Sequence, residues 1–473
     1  MALRWYQQKA LDEIRAHFAA GTKKVLLHAA TGSGKTVIFS EILKGVHAKG
    51  KRAIMVARGK ALIDQASQRL FREGVPHGCI QADHWNHRPL ERIQVCSIDT
   101  LHRRSALPPA DLVVIDEAHL ATSSAFRRLI ASYPSAFFLG VSATPHAPGG
   151  LSHIADVVVY PISIGQLMDE DYLARPIYYA PTHVNLGGVQ VDRKTGDYNA
   201  FQLGEAVERS AVYGDVPKHY KKLADGQPAV LFAVNVKHSL EFVERFKAAG
   251  INAMHIDAET PKAKREKCLE DLEAGRIQVV CNVGVLCTGV DLPFLKVVIL
   301  ARPTRSYNLV IQMIGRATRI VPGKKTFLVL DHANNIEQHG FIENERKCDL
   351  SGKQKRSSEI DEERKPRLCL KCYAMFRQIK GTSKCPLCNE PLETRVLNRD
   401  AVEESGELIQ VSFQEGKQYT GPINIPGLVR QAVERNYKLG WVYHYVKERY
   451  GAEHAKILWK EIRSEFGKYP KNP

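Results

Sequence analysis

No apolar run in the sequence approaches the roughly 18–20 residues of a bilayer-crossing helix, and the opening stretch Met1 to Glu13 lacks the apolar centre of a signal peptide. Membrane and secreted classes are therefore set aside, and a soluble, cytoplasmic protein is expected. Cysteine is sparse: 10 among 473 residues, too few for a disulfide framework in a chain of this size. Acidic residues are in deficit, 51 against 67 Lys plus Arg, leaving a net charge of +16. That surplus favours a polyanionic partner. Nucleic acid suits it better than a membrane surface, since no basic amphipathic helix is evident. There is no low-complexity tract or short-period repeat. With 44% hydrophobic and 25% charged residues, the composition is that of a globular protein, and the length allows about three domains.

Short β-branched runs alternate with helical patterns in two successive series, the mark of doubly wound parallel sheets. The first series predicts strands at Val25 to His28, Ala53 to Ala57, Ile93 to Ser97, Leu112 to Ile115 and Phe137 to Val141. The second predicts Val230 to Val234, Ala253 to Ile256, Gln278 to Cys281, Val297 to Leu300 and Phe327 to Leu330. Their near-continuous apolar character fits sheets covered on both faces. The expected class is α/β, with two tandem doubly wound parallel-sheet domains and a small C-terminal module of a cysteine-bearing ribbon and helices. Boundaries are drawn at 1–170, 171–346, a charged linker 347–366, a ribbon 367–395 and a basic aromatic helical module 396–473.

Ala29-Ala30-Thr31-Gly32-Ser33-Gly34-Lys35-Thr36 lies between a predicted strand and a predicted helix. In such a loop, backbone N–H groups and the helix N-terminus cradle phosphates, Lys35 reaches the β and γ phosphates, and Thr36 offers a hydroxyl to Mg²⁺. Ala29 stands where the general pattern has Gly. Further on, Leu112-Val113-Val114-Ile115 runs into Asp116-Glu117-Ala118-His119. A carboxylate at the end of a buried strand can hold Mg²⁺, and its neighbour can orient and deprotonate a water. ATP and Mg²⁺ are the expected ligands.

Cys369-x2-Cys372 and Cys385-x2-Cys388 supply four thiolates in two knuckles. That spacing suits a closed tetrahedral Zn²⁺ site, structural because no coordination position stays open; an iron–sulfur cluster is the alternative. The last 53 residues, 421 to 473, hold ten Lys plus Arg against five Glu. Trp441 and Tyr445, with Lys438 and Arg449, could stack on and neutralise a single strand or could form a small helical core.

In order along residues 3 to 331, these motifs resemble the superfamily 2 helicases and translocases with a DEAH-type box, a resemblance that implies two tandem RecA-like domains, here followed by a zinc ribbon and a helical module. Leu3-Arg4-Trp5-Tyr6-Gln7 is similar to the adenine-reading element of that family, which assigns Arg4 and Gln7 to the base; Trp5 replaces the usual Pro. Ala57-Arg58 and Ser97-Ile98-Asp99-Thr100-Leu101 resemble the strand-contacting motifs of the first lobe, implying Arg58 and Thr100. Ser142-Ala143-Thr144-Pro145 resembles the element coupling hydrolysis to motion, implying Ser142 and Thr144. In the second lobe, Leu231-Phe232-Ala233-Val234-Asn235 is similar to its first motif. Thr288-Gly289-Val290-Asp291-Leu292-Pro293 resembles the motif that implies a strand contact at Thr288 and nucleotide contacts at Gly289 and Asp291, and Cys287 stands where Thr is frequent. Gln312-Met313-Ile314-Gly315-Arg316-Ala317-Thr318-Arg319 resembles the arginine-finger motif, which implies catalytic roles for Gln312, Arg316 and Arg319 beside Lys35, Asp116 and Glu117. The nucleotide set is completed by Thr31, Gly32, Ser33, Gly34 and Thr36.

With the zinc module the chain resembles bacterial RadD-type repair helicases and some phage-encoded helicases, in a bacterial or phage-infected cell. The resemblance implies an ATP-dependent helicase in DNA repair, recombination or replication, with DNA favoured over RNA and with replication or repair proteins meeting the C-terminal module. A double-strand translocase that does not separate strands and an RNA helicase are the alternatives. A non-catalytic scaffold would be expected to lose the Lys, an acid or the finger, and all are here.

Overall fold

The computed structural model describes residues 3–344 apart from 148, 181–188, 193–195, 209–211 and 288, and beyond them residues 348, 350–351, 366–368, 375–377, 409–411, 442 and 459. The four clustered cysteines, Thr288 and most of the C-terminal third lie outside the described residues.

The first seven strands are β1 Lys24–His28, β2 Ala53–Ala57, β3 Gly78–Ile80, β4 Ile93–Ser97, β5 Leu112–Asp116, β6 Phe137–Ser142 and β7 Val157–Val159. They form one parallel sheet in the order β3-β4-β2-β5-β6-β1-β7. Each predicted strand of the first series is present, because four or five consecutive apolar residues bury both faces at once. One face packs with Leu11, Phe39 and Leu43, the other with Phe126, Tyr133 and Ile154. The short strands β3 and β7 carry too few residues for a period to show in sequence.

The second sheet holds β8 Arg175–Ala180, β9 Ala229–Phe232, β10 Ala253–Ile256, β11 Val279–Asn282, β12 Val297–Leu300 and β13 Thr326–Asp331. These are parallel, in the order β10-β11-β9-β12-β13-β8. Beyond β8 lie β14 Pro366–Leu368, β15 Met375–Arg377 and β16 Ile409–Val411, with β16 antiparallel to β8 and β14 antiparallel to β15. The result is two tandem parallel-sheet α/β domains, the expected RecA-like pair.

The lobes share an apolar seam. Tyr6 and Ala30 of the first lobe belong to the same buried cluster as Leu173, Ile314 and Ala317. The segment read from composition as the start of a charged linker is anchored: Cys348 and Leu350 pack against the first lobe's core, and Leu350 O accepts from Leu151 N at 2.8 Å and Ser152 N at 3.1 Å. Among the described residues no helix is long and apolar enough to cross a membrane.

Candidate functional site

In an open parallel sheet, ligands gather beyond the carboxyl ends of the strands. β5, β6 and β1 are consecutive neighbours, with Asp116 in register with Val141 and His28 with Ser142. This brings the ends of the phosphate loop, the acidic pair and the Ser142–Pro145 segment to one edge.

The phosphate loop turns through two left-handed glycines, Gly32 at φ +79° and Gly34 at +83°, which a side chain would strain. Both are also crowded. A Cβ at Gly34 would lie 2.6 Å from Gln7 Nε2, and one at Gly32 would lie 2.6 Å from Leu173 Cδ2. Gln7 Nε2 donates to Ser33 O at 2.9 Å, so the predicted adenine element sits directly on the loop. Arg4 donates to Tyr6 Oη at 3.0 Å and lies over the Tyr172 ring, 4.4 Å from its centroid, while Trp5 Nε1 donates to Glu170 Oε2 at 2.7 Å. Tyr172 and Glu170 had no signal in sequence; only the fold brings them some 165 residues back. The helix Lys35–Ala48 opens at Lys35, and Ser33 Oγ is buried there with no partner among the described residues.

Lys35 Nζ donates to Glu117 Oε1 and stands 3.6 Å from Asp116 Oδ1. Burial presses the Lys35 ammonium towards its neutral form, but the two carboxylates outweigh this and raise its pKa. Burial pushes Asp116 up, only partly opposed by Lys35. Burial pushes Glu117 up too, but the Lys35 charge and His119 more than offset it and hold the carboxyl below its ordinary value. Glu117 is left-handed at φ +49°, a conformation costing on the order of 1–3 kcal/mol for a non-glycine residue that aims its side chain at the loop. His119 Nδ1 stands 3.0 Å from Ser142 Oγ, which accepts from Thr144 N at 3.1 Å. The acidic box is thereby joined to the predicted coupling residues.

The second lobe closes the site. Gly315 ends the helix Tyr307–Gly315, and a Cβ there would lie 2.5 Å from Thr31 Cγ2. Ala174 N donates to Thr318 O at 2.7 Å. Arg316, held by the carbonyls of Gln312 and Val290, lies within electrostatic reach of Glu117, Asp291 and Arg319. Arg319 is paired outward with Asp291 at 2.7 Å, the two side chains 56% and 49% exposed. Gln312 lies partly buried one turn before Arg316. Gln65 of the first lobe donates to Gly289 O, so the loop holding Gly289 and Asp291 touches the helix that follows Arg58.

Arg58 is exposed beyond β2, its Nη2 3.4 Å from Ser123 Oγ. Thr100 lies in the short helix Ile98–Leu101 beyond β4. Among the described residues there is no cluster of three or more His, Cys, Asp or Glu able to hold a metal; Cys369, Cys372, Cys385 and Cys388 fall outside them.

Two family models match: Type III restriction enzyme, res subunit, over residues 1–147, and Helicase conserved C-terminal domain over 215–321. A 51.5 kDa protein of a Lactococcus phage is 32% identical over 319 residues, 67% of this chain and 67% of that protein. The Saccharomyces cerevisiae protein named ATP-dependent helicase IRC3 is 27% identical over 70% of this chain and 51% of its own length, so the match spans about half of that relative. Among solved structures, a fragment of an HsdR subunit of a type I restriction enzyme from Vibrio vulnificus superposes with a TM-score of 0.56 at 21% identity, covering 74% of this chain and 66% of that one.

Proposed function

The chain belongs to the superfamily 2 helicase family, and on that premise we propose that it is a nucleic-acid-dependent ATPase that moves along DNA and separates its strands. The observation that carries this reading is the closed site: Lys35 on Glu117 and Asp116 in one lobe, with Gly315 of the other seated on Thr31 and Arg316 in electrostatic reach of Glu117.

In the proposed mechanism, Thr31 to Thr36 cradle the triphosphate and Lys35 leaves Glu117 for the β and γ phosphates. Mg²⁺, when bound, would neutralise phosphate charge; the Thr36 hydroxyl and the Asp116 carboxylate are the groups that would hold it, and the buried Asp116 carboxylate and the buried, unpartnered Ser33 hydroxyl of the loop are oxygen donors of the kind such an ion takes. Glu117, released from Lys35, orients the attacking water and takes its proton. Arg316 and Arg319 meet the charge that develops on the γ phosphate, an effect worth about 10³–10⁵ in turnover where such fingers act. Gly289 and Asp291 hold the ribose side, and Arg4 and Gln7 the adenine. Because the arginines ride on the other lobe, ATP favours closure and product release favours opening. Ser142, bonded between His119 and Thr144, passes that change to Arg58, Thr100 and Thr288, which grip the strand. Repair, recombination or replication is the setting.

A second reading, translocation along duplex DNA without strand separation, is favoured by the restriction-enzyme model over residues 1–147. ATPase measured with single-stranded, duplex and forked DNA and with RNA, alongside strand separation, decides between them. Stimulation by forked DNA with release of a strand is expected; stimulation by duplex alone without release would install the second reading. The four cysteines are proposed to hold one structural Zn²⁺. Their first pair lies between β14 and β15, which run antiparallel, an order that supports a thiolate knuckle. Metal analysis should find about one zinc per chain, lost in Cys372→Ser.

A further inference from the structure

Trp85 is 72% exposed, on the loop that leaves β3. Single exposed apolar side chains are ordinary, but the loop beneath this one is built to hold it out. Its neighbours on both sides, His84 and Asn86, are buried. Asn86 donates through Nδ2 to His77 O at 3.1 Å, its N donates to His84 Nδ1 at 3.1 Å, and its carbonyl accepts from Cys79 N at 2.8 Å. His84 lies under the indole, with ring centroids 5.7 Å apart and planes 27° from parallel, and its Nε2 stands 3.2 Å from Asp64 Oδ1. Asp83, just before, takes a left-handed φ of +32°. The turn is thus fixed from three sides while its largest apolar side chain faces water.

The topology says what meets it. β3 is the sheet's edge strand, parallel to β4, with Ile80 in register with Cys96, while Ala57 is in register with Ser97. The chain therefore leaves β3, β4 and β2 along one carboxyl edge, the edge that carries Arg58 and Thr100. Exposed cations line it at Arg58, Lys60, Arg103 and Arg104, with Asp83 and Asp99 as exposed acids on the same edge. Asp64, which braces His84, lies on the helix Lys60–Arg72, which begins two residues after Arg58. One helix thus joins a proposed backbone contact to the loop that carries the indole.

We propose that Trp85 is a stacking platform for an unpaired base of the strand that the first lobe holds, at the outer end of its track. This rests on the reading of the chain as a nucleic-acid motor. The cations hold phosphate and carry no preference for unpaired bases; a prefixed indole adds one, because every base has a face to stack and the loop loses no freedom on binding.

The test uses the full chain and three labelled probes: a single-stranded oligonucleotide, the same backbone with abasic sites throughout, and a blunt duplex. Trp85→Ala is expected to weaken binding to the base-bearing strand by about 5- to 150-fold. It should leave the abasic strand, the duplex and ATPase without nucleic acid unchanged, and Trp85→Phe should retain most of the affinity. Equal binding of the base-bearing strand by Trp85→Ala and the parent chain would overturn the proposal. An equal loss on the abasic strand would also overturn it, since the residue would then act through the loop's shape. If the parent chain bound none of the three probes, the motor reading would fall and the platform with it.

Discussion

Replacing Gly315 by alanine should make the protein more stable and less active. Gly315 is helical, and a helical glycine costs about 0.5–1 kcal/mol relative to alanine, so the separated lobes gain that amount. In the closed arrangement the new Cβ would lie 2.5 Å from Thr31 Cγ2, 3.3 Å from Thr31 Cβ and 3.5 Å from its Oγ1. Carbon atoms rest about 3.5–4.0 Å apart, so the first contact alone demands a retreat of about 1 Å. Threonine is stiff at χ1 and cannot swing its methyl away cheaply; the seam has to open instead. A misplacement of about 1 Å at a catalytic constellation costs on the order of 10²-fold, or about 2.7 kcal/mol of barrier. Nucleic-acid-stimulated ATPase at saturating ATP should fall by that factor, while urea unfolding shows no loss of stability. Thr31→Ser removes the offending methyl, so the double variant should recover at least about tenfold, a coupling of about 1.4 kcal/mol. Turnover of Gly315→Ala within about twofold of the parent would sink the argument that this contact sets closure, and a double variant no better than the single would show that the loss has another source.

Glu117→Gln should retain ATP binding yet lose at least about 10²-fold in hydrolysis, read in single-turnover and nucleotide-binding assays; Lys35→Ala should lose binding itself and, by removing the cation that holds Glu117 down, raise that carboxyl's pKa. Arg319→Ala should lower turnover by about 10³-fold with ATP affinity little changed. Its pair with Asp291 is half exposed and contributes about 0–1 kcal/mol to folding, so an unchanged melting temperature is expected, and a drop in affinity without loss of turnover would make it a binding group. Lys324 donates to Pro293 O at 2.9 Å and is held, by burial first, down to about 8. Between about pH 8 and 10.5 the unfolded chain binds more protons than the folded one, so this group makes stability rise with pH across that window and imposes a cost, about 1–2 kcal/mol, that is complete below it. Lys324→Met should flatten that rise in urea titrations, and an identical slope in both proteins would show that the amine is not desolvated.

What could be read from sequence was what is contiguous. Gly32, Gly34, Lys35 and the Asp116–Glu117 pair are placed by backbone turns and strand ends a few residues long, so their arrangement stays visible in a string. Long apolar strands are likewise self-announcing, whereas β8 begins Arg175-Pro176, charged and lacking a donor, and is recruited as a strand by β13 beside it. The partners of Arg4 and Trp5 were invisible because Tyr172 and Glu170 come to them from some 165 positions further along the chain. Gly315 reads in sequence as a weak spot in a helix; its reason is a neighbour 284 positions away, Thr31. Composition also hides single anchors: the charged stretch after residue 346 holds Cys348 and Leu350, and these two suffice to tie it to the first lobe.

The ion pairs suggest why nucleotide binding and lobe movement belong to one event in the proposed cycle. Lys35 neutralises Glu117 in one lobe, and Asp291 neutralises Arg319 in the other. Each of these two pairs lies within its own half of the site; the first spares a buried carboxylate the cost of standing alone, while the second is half exposed. A triphosphate entering between them offers Lys35 and Arg319 stronger anionic partners, so both internal pairs open together. Glu117 then loses the ammonium that keeps its pKa low. Its carboxyl moves up towards the range in which it can accept a proton from water, and it does so only when phosphate is present to draw Lys35 off. Arg316, already within reach of Glu117, holds the lobes in register meanwhile, so the base becomes competent at the moment the second arginine is free to reach the γ phosphate. In that cycle, the Lys35–Glu117 pair itself suppresses hydrolysis until phosphate draws the lysine away.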